Sequence, residues 1–485
     1  MEKLIKNSLP EETIQYIHRL LALNLHSIVI YKNGDLLTEC YVQPYTKGKK
    51  QILFSVSKSF TAVAMMFALQ DNLFTLDTKI YDILKKKLSF NPQEDVKEIT
   101  IHHLLSMTYG FVDKEIQEFY LADDWIAEAF SLKLQDKPGT KFFYNNRCPF
   151  LCSVIIQELT GKSLLAYLDE KLFKYLNISN VSWEKNQQGY DKGSWGLSLT
   201  TRDLAKFGQF ILNKGTWDNQ ELLKSKYVDK LLTVYINTDN NEFADNKLGY
   251  GYYFWKCQIE GAFHAAGLFG QYCIVLPKQQ MVIAITSNSE NEQKQDILST
   301  TWDFVRILEK YENSVLKLNK EQDKLADISK YFADVHIPYL SNDNIVVDEI
   351  FNRKFKFLKN DLNMDSVFIR KLDEDTLEFI LKFVDKDYTV VAKLNSWQEN
   401  QTNTNNELND DFDSCTTLFY ENPYANYGWQ NKQLILKLLY NQGVFIDELS
   451  FRYYNDKLYV EYIPSPTFVV RTTKKYLVAN LVKNK

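Results

Sequence analysis

The stretch LFSVSKSFTAVAMMFALQDN, residues 53–72, decides how the rest of this 485-residue chain is read. Phe60, Val63, Ala64 and Phe67 follow helical spacing, and Met65, Met66 and Leu69 make the segment apolar on nearly every side, the mark of a helix meant for the interior. Yet it opens with Ser55, Ser57, Lys58 and Ser59. A polar first turn on a buried helix must open onto something. Ser55 and Lys58 stand three residues apart and so share one helical face, and burial lowers a lysine from about 10.4 towards neutrality. A neutral Lys58 beside Ser55 forms a pair able to attack a carbonyl without a histidine. The competing reading is a capping serine and a snorkelling lysine. Ser-x-x-Lys recurs at Ser182/Lys185 and Ser314/Lys317 in polar surroundings, so context rather than spacing carries the weight.

The composition, 45% hydrophobic and 25% charged, is that of a folded chain long enough for two domains. A net charge of -5 without a long basic run leaves no electrostatic footprint for nucleic acid. The N-terminus, MEKLIKNSLPEETIQYIHRL, lacks an apolar signal core, and no apolar run reaches the about 18 residues that span a bilayer, which predicts a cytoplasmic protein with no membrane partner. The six cysteines, Cys40, Cys148, Cys152, Cys257, Cys273 and Cys415, form no CxxC pair; they are expected reduced and buried, with no metal site. Of the six histidines, His102 and His103 fall in a short amphipathic helix and read as packing and surface groups. Lys85, Lys86 and Lys87 read as a solvated charge run. GKS at Gly161 to Ser163 lacks the first glycine of a phosphate loop and follows a helix rather than a strand.

SIVIYKNGDLLTECYV (27–42) is two β-rich runs joined at Asn33-Gly34, a hairpin. Thr100 caps a short helix over 101–108, and glycines end helices over 149–161 and 199–215. GQYCIVLP and QMVIAITSN (270–288) read as buried strands, and a helix over about 291–312 closes the first domain. Beyond 312 the texture changes. Residues 368–394 and 432–463 are short apolar or alternating runs broken at DED, DKD, NQG and YND, an antiparallel meander. Between them NSWQENQTNTNNELNDDFDS reads as a polar surface loop.

With these elements in order, the chain resembles the serine β-lactamase and penicillin-binding-protein-like hydrolases, in particular the class C-like esterase and 6-aminohexanoate-oligomer amide hydrolase branch. FSVSKSFTA resembles that family's nucleophile helix, ITIHHLLSMTYGF the segment after it, and KPGTKFFYNN its Tyr-x-Asn motif. GLSLTTRDLAKFGQFILNKGTW resembles a later helix, and HAAGLFGQYCIVLPKQQMVIAITSN the third motif on its strand. The match runs over about residues 20–310. It implies an α/β (α+β) fold: a β-lactamase/transpeptidase-like domain, residues 1–312, with an antiparallel sheet flanked by helices. Residues 313–485 then form an all-β meander or lipocalin-like barrel.

The resemblance also implies a mechanism. Ser55 attacks an ester or amide carbonyl, Lys58 and Tyr144 move the proton, and water releases the acyl group. Asn146 hydrogen-bonds the acyl group's amide. Backbone N–H groups of Ser55 and Leu268 hold the oxyanion, each contributing on the order of 3 kcal/mol. Where the family often carries Lys-Thr-Gly or His-x-Gly, this chain has Ala265-Ala266-Gly267 with His264 one residue early. On a regular strand that turns the imidazole to the opposite face; a bulge could restore it as a substrate contact. The missing cation removes an anchor for a β-lactam carboxylate, which favours small esters or amides over β-lactams. Trp195 is expected beside the acyl pocket, whereas Tyr250, Tyr252, Tyr253, Phe254 and Trp255 read as core. No metal or organic cofactor is implied. The alternatives are a ligand- or partner-binding module that kept the fold without catalysis and, ranked below both, a D,D-peptidase or true β-lactamase.

Overall fold

The computed structural model describes residues 8–111, 116–290, 293–315, 332, 334–343, 345–384, 386–401, 422–440, 446–464 and 474–482. They form two compact units that divide between Val335 and His336.

The first unit is built on an antiparallel sheet. Helix α1, Ser8–Leu21, leads into β1, Leu25–Lys32, and β2, Asp35–Tyr41. Asn33 and Gly34 turn between these strands with φ of 53° and 84°, the left-handed pair that a tight hairpin needs and that Asn-Gly supplies. The other strands come from the far end of the unit: β3, Trp255–Lys256; β4, Phe263–Gly267; β5, Gln271–Leu276; and β6, Met281–Ser287. Their order is β2-β1-β6-β5-β4-β3, with Val29 opposite Ala284 and Cys273 opposite Ala265.

Both faces are covered. On one, α1 and α6, Lys294–Val315, pack Tyr16, Ile17, Leu20, Ile297, Trp302 and Val305 against Ile28, Ile30, Ile274, Ile283 and Ile285. On the other lies α5, Thr201–Leu212, so close that a β-carbon on Gly208 would meet Val282 at 2.5 Å and Cys273 at 2.8 Å. Behind α5 runs α2, Ser57–Gln70, joined by Phe60 stacked on Phe207 at 3.7 Å. Every residue of α2 from Ser57 to Ala68 is buried, as its all-round apolar pattern predicts. Two further helices complete the site: α3, Ile116–Leu121, and α4, Arg147–Thr160, the latter closed by Gly161 at φ 70°. Among the described residues, no single helix is long and apolar enough to cross a membrane.

The second unit is all β, with β7 Lys354–Phe357, β8 Met364–Lys371, β9 Thr376–Phe383, β10 Asp387–Leu394, β11 Gln398–Glu399, β12 Pro423–Gln430, β13 Gln433–Tyr440, β14 Ile446–Tyr454, β15 Lys457–Ile463 and β16 Lys475–Leu481. Neighbours pair antiparallel except β10 and β12, whose parallel contact, Lys393 opposite Asn426, closes the sheet into a barrel. The alternation Leu377, Phe379, Leu381 and Phe383 on β9 turns one face inward. The polar segment expected as a surface loop falls mostly outside the described residues; its first part forms the short strand β11.

Candidate active site

The serines of the opening stretch separate by partner. Ser57 Oγ donates to the Phe54 carbonyl at 2.6 Å and accepts from Leu197 N at 3.2 Å, while Ser59 Oγ donates to the Tyr253 carbonyl at 2.6 Å. Both tie the buried helix to neighbouring backbone. Ser55 differs: between Gln51 and Ala68 it is the residue that keeps surface exposed while its neighbours are buried. It lies not in α2 but in a 3₁₀ turn, Phe54–Val56, running into it. Phe54 has φ of 46°, a left-handed conformation costing a non-glycine residue roughly 1–2 kcal/mol. The tertiary fold holds that strain immediately before the half-buried Ser55.

Lys58 is wholly enclosed. Its Nζ lies 2.9 Å from Ser55 Oγ, 2.7 Å from Asn146 Oδ1 and 3.0 Å from the Ser194 carbonyl oxygen. The last two atoms can only accept hydrogen bonds. A neutral amine has two N–H groups and one lone pair. With both hydrogens given to Asn146 and Ser194, the lone pair is left facing the Ser55 hydroxyl. Burial drives Lys58 well below the ordinary lysine range, opposed by a smaller attraction to the Cys148 thiolate form, which favours that neutral state.

Tyr144 completes the group, with its ring centroid 4.8 Å from Lys58 Nζ. Burial raises its phenol above the ordinary value and a hydrogen bond with Ser55 pulls it partly back, so the hydroxyl keeps its proton near neutrality and can pass one along. Trp255 stacks behind the ring at 5.8 Å and 25°. In the next residue, Asn145 accepts from Cys148 N at 2.9 Å and donates to the Phe143 carbonyl at 2.8 Å, locking the loop that presents Tyr144 and Asn146 at the start of α4.

The third motif reaches this group through its backbone. A β-carbon on Gly267 would come 2.3 Å from the Leu53 carbonyl oxygen, so β4 passes directly beside the turn carrying Ser55, and half-buried Leu268 follows at the strand's end. Ala265 shares the face of Gly267. Trp195 adjoins Ser194, is 8% exposed, and meets Tyr120 edge-on at 5.0 Å.

His264 departs from the expectation that it contacts substrate. No bulge interrupts β4 on β5: His264 is opposite Ile274 and Ala265 opposite Cys273. The imidazole therefore shares the Ile274 face, under α1 and α6, while Gly267 and Ala265 face the nucleophile turn. It is fully buried against Cys257, whose Sγ lies 3.2 Å from Nδ1, and burial lowers it to about 4 against the pull of Asp245. It is a core histidine. His102 and His103 are structural too: His102 bonds the Tyr252 hydroxyl at 2.7 Å, and His103 forms a capping box with Thr100. Cys40, Cys148, Cys152, Cys257 and Cys273 are free and buried, and Cys415 lies outside the described residues.

Two contributors escape the sequence reading. The Ser194 carbonyl carries no side-chain signal, because every residue has one. Tyr120, on α3, takes a hydrogen bond from Asn146 Nδ2 yet belongs to none of the recognised motifs. Among the described residues no cluster of three or more metal-ligating side chains occurs.

This architecture, with a Ser-x-x-Lys helix beside an antiparallel sheet and a Tyr-x-Asn loop across from it, agrees with comparison to known proteins. The beta-lactamase family profile matches residues 17–304, more than half of the chain, and the protein belongs to that family of serine hydrolases. An uncharacterized protein of Alkalihalophilus pseudofirmus is 23% identical over 308 residues, covering 54% of this chain and 83% of its own. Among solved structures, "Putative 6-aminohexanoate-dimer hydrolase from Bacillus anthracis" superposes with a TM-score of 0.51 at 22% identity, over 62% of this chain and 82% of that one. EstCE1, described as a hydrolase with promiscuous acyltransferase activity, gives 0.53 at 14% identity, over 62% and 99%. At these identities the two structures speak for the fold.

Proposed function

We propose that the protein hydrolyses a small ester or amide through an acyl-enzyme on Ser55. The observation that carries this reading is the bonding of Lys58: two obligate acceptors take its hydrogens and its lone pair is directed at Ser55 Oγ. As Oγ bonds to the substrate carbonyl carbon, its proton passes to Lys58 Nζ. The carbonyl oxygen becomes an oxyanion beside the backbone N–H groups of Ser55 and Leu268. Collapse of that intermediate breaks the bond to the leaving group, which takes the proton back through Lys58 and Tyr144. Water then attacks the acyl carbon, the same pair removes its proton, and Ser55 regains a hydrogen as the acid departs.

The substrate class follows from what lines the site. Ala265 stands where a cation would anchor a carboxylate, and the aromatic rings of Tyr144 and Trp255 lie nearby. A neutral ester or amide suits such a site better than a β-lactam. A 6-aminohexanoate-dimer hydrolase and a hydrolase with promiscuous acyltransferase activity are named among the similar folds, which accords with acyl chemistry on Ser55.

Intact-protein mass after exposure to a fluorophosphonate tests the proposal. One adduct on wild type that vanishes in Ser55→Ala is expected. No adduct on the folded wild type would reject it in favour of a ligand- or partner-binding module.

A further inference from the structure

The two backbone N–H groups proposed to receive the oxyanion belong to Ser55 and Leu268, and each adjoins a phenylalanine with left-handed backbone. Phe54, immediately before Ser55, has φ of 46°; Phe269, immediately after Leu268, has φ of 60° and ψ of 19°. Among the described residues, most positive φ values at non-glycine positions fall on Asn or Asp, whose short polar side chains tolerate them. The aromatic residues that adopt one are Phe54, Tyr253 and Phe269, and two of these meet. The rings of Phe54 and Phe269 stand edge-on, with centroids 5.3 Å apart at 64°, an arrangement aromatic pairs prefer. Each backbone is held from its own side. The Phe54 carbonyl accepts from Ser57 Oγ at 2.6 Å, at the start of α2. The Phe269 carbonyl accepts from Ser287 Oγ at 2.7 Å and from Ser289 N at 3.0 Å, where β6 ends. The ring contact thus joins two turns that are anchored separately, beside the close approach of Gly267 to the Leu53 carbonyl. Relaxing either phenylalanine moves a donor. Rotation at Phe54 swings the peptide that carries Ser55 N–H. Rotation at Phe269 swings the peptide joining it to Leu268, and because β4 ends at Gly267 and β5 begins at Gln271, the connection Leu268–Gly270 must shift with it.

We infer that Phe269 is a positioning residue: its ring, braced edge-on by Phe54, keeps both left-handed turns in place and so fixes the spacing between the Ser55 and Leu268 N–H groups. This rests on Ser55 being the nucleophile. Donors fixed before substrate arrives need no reorganisation as charge develops on the carbonyl oxygen, and strained backbone persists where its surroundings over-determine it.

The test measures kcat and KM for p-nitrophenyl butyrate, and Ki for butylboronic acid, on wild type, Phe269→Leu, Phe54→Leu and the double variant. Acylation and deacylation both pass through a tetrahedral oxyanion, so kcat reports the donors whichever step is slower. Boron takes Ser55 Oγ into a tetrahedral adduct that occupies the same place. Each single variant should lower kcat roughly tenfold, less than the about 10²–10³ of a deleted donor, with KM near wild type and the boronate Ki raised in step. The double variant should be no worse than the poorer single one, since two residues acting as a unit are not additive. Phe269→Tyr, which keeps the ring, should restore kcat to within about threefold. If Phe54→Leu, at a buried position, does not fold, Phe269→Leu against Phe269→Tyr decides alone. A merely structural role would lower the melting temperature and leave kcat per labelled Ser55 and the boronate Ki unchanged, which overturns the inference. Losses that multiply in the double variant, or a Phe269→Tyr as slow as Phe269→Leu, also overturn it. Fluorophosphonate labelling separates the levels: a labelled, active wild type matched by Phe269→Leu defeats this inference alone. An unlabelled, folded wild type that leaves the ester intact defeats the hydrolase reading and this inference with it.

Discussion

Gly267 lies against Leu53 so closely that a β-carbon at 267 would stand 2.3 Å from the Leu53 carbonyl oxygen. The strand of the third motif and the turn of the nucleophile therefore share a fixed spacing, and Leu268 N, the proposed second oxyanion donor, inherits it. Gly267→Ala must push β4 away. Acylation by a fluorophosphonate should slow by about 10²–10³, the scale of a lost oxyanion donor, while unfolding shows only the ~1–3 kcal/mol of local overpacking. Acylation within a few-fold of wild type would count against the placement of Leu268 N.

Lys58→Met keeps a similar buried volume and deletes the amine. The acylation rate should fall by about 10²–10⁴, the range of a general base. In wild type the base must be neutral, so the rate rises with pH and levels off above the pKa of Lys58. Burial holds that pKa well below the usual range; a rise centred near the ordinary lysine value of about 10.4 would contradict the assignment.

His264→Gln separates core from site. The imidazole packs beside Cys257 on the α1 and α6 face, so the variant should melt at a lower temperature while acylating Ser55 at the wild-type rate. A selective loss of acylation with unchanged melting would return His264 to the site.

His26 couples stability to pH. It is buried, stacked on Tyr45 at 4.0 Å with Nδ1 3.0 Å from Gln51 Oε1, and burial lowers it to about 4, opposed by the Gln51 bond. In the unfolded chain it takes a proton near pH 6.5, so between about 6.5 and 4 protons favour unfolding. The stabilisation is complete above the unfolded value and is lost as pH falls through that window, on the order of 3 kcal/mol by its lower end. Urea midpoints at pH 7 and 4.5 should differ less in His26→Gln than in wild type; an identical difference would remove His26 as the cause.

Much of the fold was legible because its signals are local. Asn33-Gly34 marks the first hairpin and Gly161 a helix end through left-handed backbone that few other residues adopt, and Thr100 marks a helix start through its side-chain hydroxyl. Ser55, Lys58 and Tyr144, which the structure brings together, each lie in a recognisable run. The strain at Phe54, the Ser194 carbonyl and Tyr120 were not legible, because backbone conformation at a non-glycine residue, a main-chain acceptor and one of 30 tyrosines acquire meaning only after tertiary contacts form. His264 shows the converse: strand alternation already set its direction, and the absence of a bulge could be read only from the paired register.

The pairing of β1 with β6 joins residues 25–32 to 281–287, across most of the first unit. A ribosome must therefore add about 250 residues after the hairpin before the central ladder can close, roughly 12–50 s at ordinary elongation rates. During that interval Ile28 and Ile30 wait without their final partners, and contacts this distant in sequence form slowly. The vulnerable species in the life of this protein is thus the nascent chain, and a nonsense mutation before codon 281 would release a chain without β6, the strand that joins the β1–β2 hairpin to β5.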